Sequence, residues 1–171
     1  KLTVSFPRTV GQVPIFYNHK NTGRPEGFYE SVFITKYLDS PNQPLFPFGY
    51  GLSYTTFEYS EIQMEDKQLT RDGKLNVSVK VKNTGKYKGT ETVQLYIRDL
   101  VASVTRPVKE LKSFRKVELK PGEEKKVEFV ITEKDLRFWN DKKQFISEPG
   151  KFHLFIGTDS ENVKKAEFVL L

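Results

Sequence analysis

Few residues in this chain carry groups that could do chemistry, and they are scattered. There are two histidines, His19 and His153, and no cysteine. His19 sits in a polar, turn-rich run, NHKNTGRP. His153 follows Phe152 and precedes Leu154, so alternation turns it away from their face. A Ser/His/Asp triad needs nucleophile, base and orienting acid within hydrogen-bond reach, and no spacing here ties either histidine to a serine. Structural zinc takes three or four His, Cys or carboxylate ligands, so two distant histidines give no metal site. A carboxylate pair could hydrolyse a glycoside if one member sat in an apolar setting that raised its pKa. Residues 1–60 offer Glu26, Glu30, Asp39 and Glu58, and none has such a setting. The glycines of FPFGYG, Gly49 and Gly51, lack the flanking strand, helix and Lys-Ser/Thr of a phosphate loop. They read instead as bends between packed rings. Trp139 beside Phe138 is either a sugar-stacking platform or a buried plug at the end of the fold. The plug is the reading we take from sequence. His19, Lys20 and Arg24 could meet a polar ligand only if their loop overhangs a cleft. On this reading catalytic, cofactor-binding and metal residues are all absent, and no cofactor is implied.

The elements that would position these groups fall into two chemistries. Thirteen of the 23 aromatics and six of the nine prolines lie in residues 1–60. The segment 41–57, PNQPLFPFGYGLSYTTF, has too much Pro and Gly for a helix or a central strand. It is also too aromatic for a solvated linker. It must bury its rings against something else. Leu2–Phe6 could be a short strand and Glu30–Leu38 a strand or a helical turn, but these pieces assemble no closed core.

From Thr56 the pattern changes to period two. Leu75, Val77, Val79 and Val81 alternate with Asn76, Ser78, Lys80 and Lys82, and Val93, Leu95 and Ile97 with Gln94 and Tyr96. Further rows follow at 57–62, 111–119, 127–131, 152–156 and 166–170, with a helical turn expected at Leu136–Asn140. Seven strands with one apolar face each predict two antiparallel sheets packed face to face, in a mainly β sandwich of immunoglobulin or fibronectin type III kind.

Net charge is +6, of which +5 is spread through residues 61–171 and interleaved with Glu, with no Lys/Arg run longer than two. That pattern describes solvated sheet faces rather than a nucleic-acid patch. No apolar run approaches the ~20 residues of a membrane span. The start at Lys1, with Met64 as the only methionine, reads as a piece cut from a larger chain.

Six motifs in order resemble glycoside hydrolase family 3: FPRTVGQVPIFYNHKNTGRP (6–25), PLFPFGYGLSYTTF (44–57), VKNTGKYKGTETVQLYIRD (81–99), RPVKELKSF (106–114), LKPGEEKKVEF (119–129) and GKFHLFIGTDS (150–160). The nearest likeness is to its bacterial periplasmic β-glucosidases. The resemblance implies that 1–57 is the end of an α/β sandwich domain plus an interdomain linker, and 58–171 a fibronectin type III-like domain. It implies a parent that hydrolyses terminal β-D-glucosyl residues with retention, in the periplasm or outside the cell, on β-glucoside or oligosaccharide substrates. The catalytic Asp and Glu of the family would lie upstream, and no acid here matches their motifs. The partners implied are the upstream domains of the same polypeptide. Two alternatives stay open: a carbohydrate-binding module, with Trp139 or Tyr87 exposed on one face, and a protein-interaction module.

Overall fold

In the computed structural model, residues 1–25 and 33–171 are described. Eleven strands follow one another from Phe57. They are β1 (Phe57–Tyr59), β2 (Gln63–Met64), β3 (Gln68–Leu69), β4 (Leu75–Asn83), β5 (Gly89–Asp99), β6 (Glu110–Leu119), β7 (Glu124–Ile131), β8 (Phe138–Trp139), β9 (Phe145–Ile146), β10 (Gly150–Gly157) and β11 (Val163–Leu170). In one sheet β4 is central, pairing with β7 on one side and with β1 and β2 on the other. The second sheet runs β3-β11-β10-β5-β6. All its pairings are antiparallel except β3 with β11. β8 and β9 form a separate hairpin.

The sandwich forms because alternation gives each long strand one apolar face, and two such faces can only leave water by meeting. Val77, Val79 and Val81 of β4 and Phe129 and Ile131 of β7 face Leu95 and Ile97 of β5, Leu154 and Ile156 of β10 and Phe168 of β11. Phe152 and Phe168, cross-strand partners, stack at 5.3 Å. All seven expected rows hold strands, the first of them only over Phe57–Tyr59. The expected mainly β sandwich is the observed fold.

Three local expectations are corrected. The helical turn lies at Glu133–Leu136, and the expected Leu136–Asn140 stretch holds β8 instead. Thr132 starts the turn: its N–H and hydroxyl both donate to Asp135 Oδ2, at 2.7 and 2.8 Å. Leu2–Phe6 is no regular strand, yet its backbone pairs with 45–50 through Leu2 N–H to Tyr50 O (2.7 Å), Gly49 N–H to Leu2 O (2.8 Å) and an isolated Phe6–Phe46 bridge. The proline and glycine spacing of 44–51 interrupts the ladder. The third correction concerns β5. Gln94 and Tyr96 are 3% and 0% exposed, so this strand has no wet face. Of the possible element at 30–38, residues 30–32 lie outside the described residues, as does Glu26; 33–35 and 38 are bends.

Candidate functional site

What covers β5 is the segment 1–56. Tyr17 stacks on Phe48 at 4.2 Å, and both rings present edges to Tyr96, at 5.7 and 6.5 Å. The Tyr96 hydroxyl donates to Gln94 Oε1 (2.6 Å), and the Gln94 amide donates to Gly49 O (3.2 Å) and to Thr158 O. Burial pushes the Tyr96 phenol far above its usual pKa, so it stays a neutral donor. Gly49 has φ +82°, and a Cβ there would stand 2.1 Å from Gln94 Oε1. Glycine is therefore the residue that lets the segment reach the sheet. Ser160 N–H donates to Phe48 O (2.9 Å), Leu111 N–H to the Tyr17 hydroxyl (3.2 Å) and Val108 N–H to His19 O (2.9 Å). The segment is thus tied to β5, β6 and the turn after β10.

Where it enters the sandwich, the side chain of Asn83 gathers four bonds. Its Oδ1 accepts from the Thr55 hydroxyl (2.6 Å) and Gly85 N–H (3.0 Å), and its amide donates to Tyr87 O (2.8 Å) and Leu119 O (3.0 Å). A Cβ on Gly85 would lie 2.2 Å from Thr55 Oγ1. The run Asn83-Thr84-Gly85 is a clamp on the end of the aromatic segment. Sequence carried a signal for it: an Asn with Gly two residues on, following a strand, can satisfy several backbone groups at once.

Beside the clamp a cleft of about 580 Å³ is lined by Gly51, Leu52, Phe57, Tyr59, Glu91 and Thr158, with Glu58 on its wall. Glu91 is buried there, accepts from the Tyr59 hydroxyl at 3.0 Å and pairs with the Lys1 ammonium at 3.5 Å. Burial, then the charge of Glu91, pushes the Tyr59 phenol far up. Glu91 is occupied in holding Lys1 and Tyr59 together. Among the described residues the carboxyl that is clearly raised is Asp99, to about 6, by burial, but Asp99 lines neither of the two main cavities. The raised acid and the cleft do not coincide.

The other candidates are apart from it. His153 lies on the outer face of β10 with Nε2 2.9 Å from Glu167 Oε1 on β11. Burial and Lys165 hold its pKa down against that partner. His19, Lys20 and Arg24 are exposed; Lys20 bridges Pro107 through backbone. Asp39 and Glu58 are exposed. Trp139 is 66% exposed, which corrects the plug reading: Phe138, at 3%, is the plug, and alternation turns the next ring outward. Tyr87 is also exposed. Among the described residues no group of three or more His, Cys, Asp or Glu could hold a metal.

Among the exposed residues of segment 1–56, large apolar side chains stand beside the polar ones. Leu38, Tyr54, Val10 and Leu52 are 99%, 96%, 90% and 89% exposed. The segment uses one set of rings to grip the sheet and leaves another set in water.

Comparison with known proteins follows that division. Residues 91–160 match the family model "Fibronectin type III-like domain". Over 100% of its length the chain is 51% identical to a periplasmic β-glucosidase of Salmonella typhimurium, and over 96% it is 55% identical to a β-glucosidase of Bacteroides ovatus. Over nearly its whole length the chain is similar to part of these glycoside hydrolase family 3 β-glucosidases. It covers 22% and 23% of those two relatives, so it is about a fifth of the length of a family 3 protein. Among solved structures, a Listeria innocua β-glucosidase in complex with isofagomine superimposes on 97% of the chain with TM-score 0.89 and 43% identity, using 23% of its own length. The likeness includes segment 1–56, so in family 3 the segment and the sandwich recur together.

Proposed function

We propose that this chain is the C-terminal portion of a retaining β-glucosidase, acting there as a structural module that fastens the sandwich to upstream domains and supplies no catalytic group. One observation carries the reading. The segment 1–56 spends Tyr17, Phe48 and Gly49 on the sheet while Leu38, Tyr54, Val10 and Leu52 stay in water. Fully exposed apolar side chains grouped on one irregular segment mark an interaction surface. The relatives, about five times longer, contain the further chain that could cover it. Residues 1–57 are on this reading the end of the preceding domain plus its linker, and 58–171 the fibronectin type III-like domain. The parent's substrate is a β-glucoside or oligosaccharide, as the relatives' names suggest for them. A periplasmic or extracellular location rests on the Salmonella relative. No helix among the described residues is long and apolar enough to cross a membrane.

The test is hydrolysis of p-nitrophenyl β-D-glucoside by the purified 171-residue chain and by the same chain joined to its upstream sequence. Turnover is expected only from the joined protein. Turnover by the chain alone overturns the reading.

A further inference from the structure

We infer that the β8–β9 hairpin is a saccharide-binding platform, with Trp139 and Phe145 as its stacking surface and β-linked glucans as its ligand class. The juxtaposition is direct. Trp139 and Phe145 are register partners, their ring centroids 5.3 Å apart and their planes inclined by 41°. They remain 66% and 49% exposed. Cross-strand pairing explains why the two rings touch. It does not explain why an indole and a phenyl, rather than smaller β-formers, keep their outer faces in water.

The platform is held rigid from behind. Phe138 is buried under the Arg106 guanidinium, 4.4 Å from the ring centroid. Buried Glu133 accepts from Arg137 Nε (2.9 Å) and the Ser147 hydroxyl (2.6 Å), which pins both ends of the hairpin. At the tip the Asn140 side-chain Oδ1 accepts from Gln144 N–H (2.9 Å), and Lys143 takes φ +58° to close the turn. Two exposed aromatic faces, next in sequence to the Asn140 and Gln144 amides that bond each other at 3.3 Å, suit a pyranose, which offers C–H bonds on its faces and hydroxyls at its edge. The choice of β-glucans rests on the function proposed above. That function is tested by hydrolysis and docking, so the two ideas fail separately.

Trp139 is the only tryptophan, so its emission reports this site alone. The intact chain is titrated with cellotetraose and laminaritetraose. The expected result is a saturable change in Trp139 emission with a Kd on the order of 1 mM, weakened about tenfold by Phe145→Ala. Calorimetric titration of Trp139→Leu, whose folding is checked by its melting curve, is expected to show no binding. Emission that stays constant for both sugars up to about 50 mM, fifty times that constant, overturns the proposal. So does emission that depends on protein concentration without sugar, since a second copy then covers the rings. Sugar binding that survives both substitutions overturns it as well.

Discussion

Strands β4 and β5 read alike in sequence and end up differently. β4 buries Val77, Val79 and Val81 and leaves Asn76, Lys80 and Lys82 in water, as one-faced alternation requires. β5 buries Val93, Leu95 and Ile97 and then buries Gln94 and Tyr96 as well. The difference is segment 1–56, which lies on the outer face of β5 and meets β4 only at its end, through Thr55 and Asn83. The sandwich is a body that closes on its own residues. The segment closes only half of itself, through Tyr17, Phe48 and Gly49, and exposes the rest. The lesson is that the same segment serves as lid for one sheet and as surface for something else.

The largest effect should come from breaking the body both regions stand on. Leu154, fully buried, becomes Ala at a cost of about 2–5 kcal/mol, read as a lower urea midpoint. Because the segment rests on the same sheet, its protection from protease should fall together with the sandwich. Survival of the segment after the sandwich melts would show that it folds independently and would break the comparison.

Removing the grip itself comes next. Phe48→Ala loses the stack on Tyr17 and the edge contact with Tyr96, and should cost about 1–3 kcal/mol, less than a fully buried ring. Proteolysis within 1–50 should accelerate while 58–171 stays resistant. Equal resistance on both sides of residue 57 would remove the distinction between lid and body.

A third test uses pH. The folded pKa of Asp99, about 6, stands above its ordinary 3.8 because burial disfavours the charge. The folded state therefore holds the proton more tightly than the unfolded state. Stability should fall as pH rises from about 4 to about 6 and then level off, by about 1–3 kcal/mol in all. Asp99→Asn should flatten that part of the pH profile, measured by urea midpoints at several pH values. An unchanged profile would mean that Asp99 stays solvated.

The smallest effect on the isolated chain is the most telling for function. Leu52→Ser with Tyr54→Ser should change stability by less than about 0.5 kcal/mol, since both side chains are already in water. In the joined protein the same pair should lower the melting temperature or loosen the domains. A loss of stability in the isolated chain, or none in the joined protein, would mean these residues face no partner.

Much of this was legible from residue types. The rows of Val, Leu and Ile at period two located every long strand, because that period assigns faces before any partner is known. The short strands were not legible: β2, β3, β8 and β9 have two residues each, too few for a period. The turn at Glu133–Leu136 was legible and misplaced. Thr132-Glu-Lys-Asp135 has the spacing of a helix-start signal, and it outranks the looser run that follows. In the candidate site, the aromatic segment's need for a neighbour could be read from its composition. The identity of that neighbour could not, since half of it proved to be β5 of the same chain.

Sequence alone determined the inner faces of the sandwich, because alternation commits each apolar side chain to one side whatever surrounds it. Tertiary structure alone decided the outer face of β5. Gln94 and Tyr96 carry both polar and apolar surface, so they are stable in water or under cover. Only the approach of Gly49, some 45 residues earlier in the chain, selects between the two.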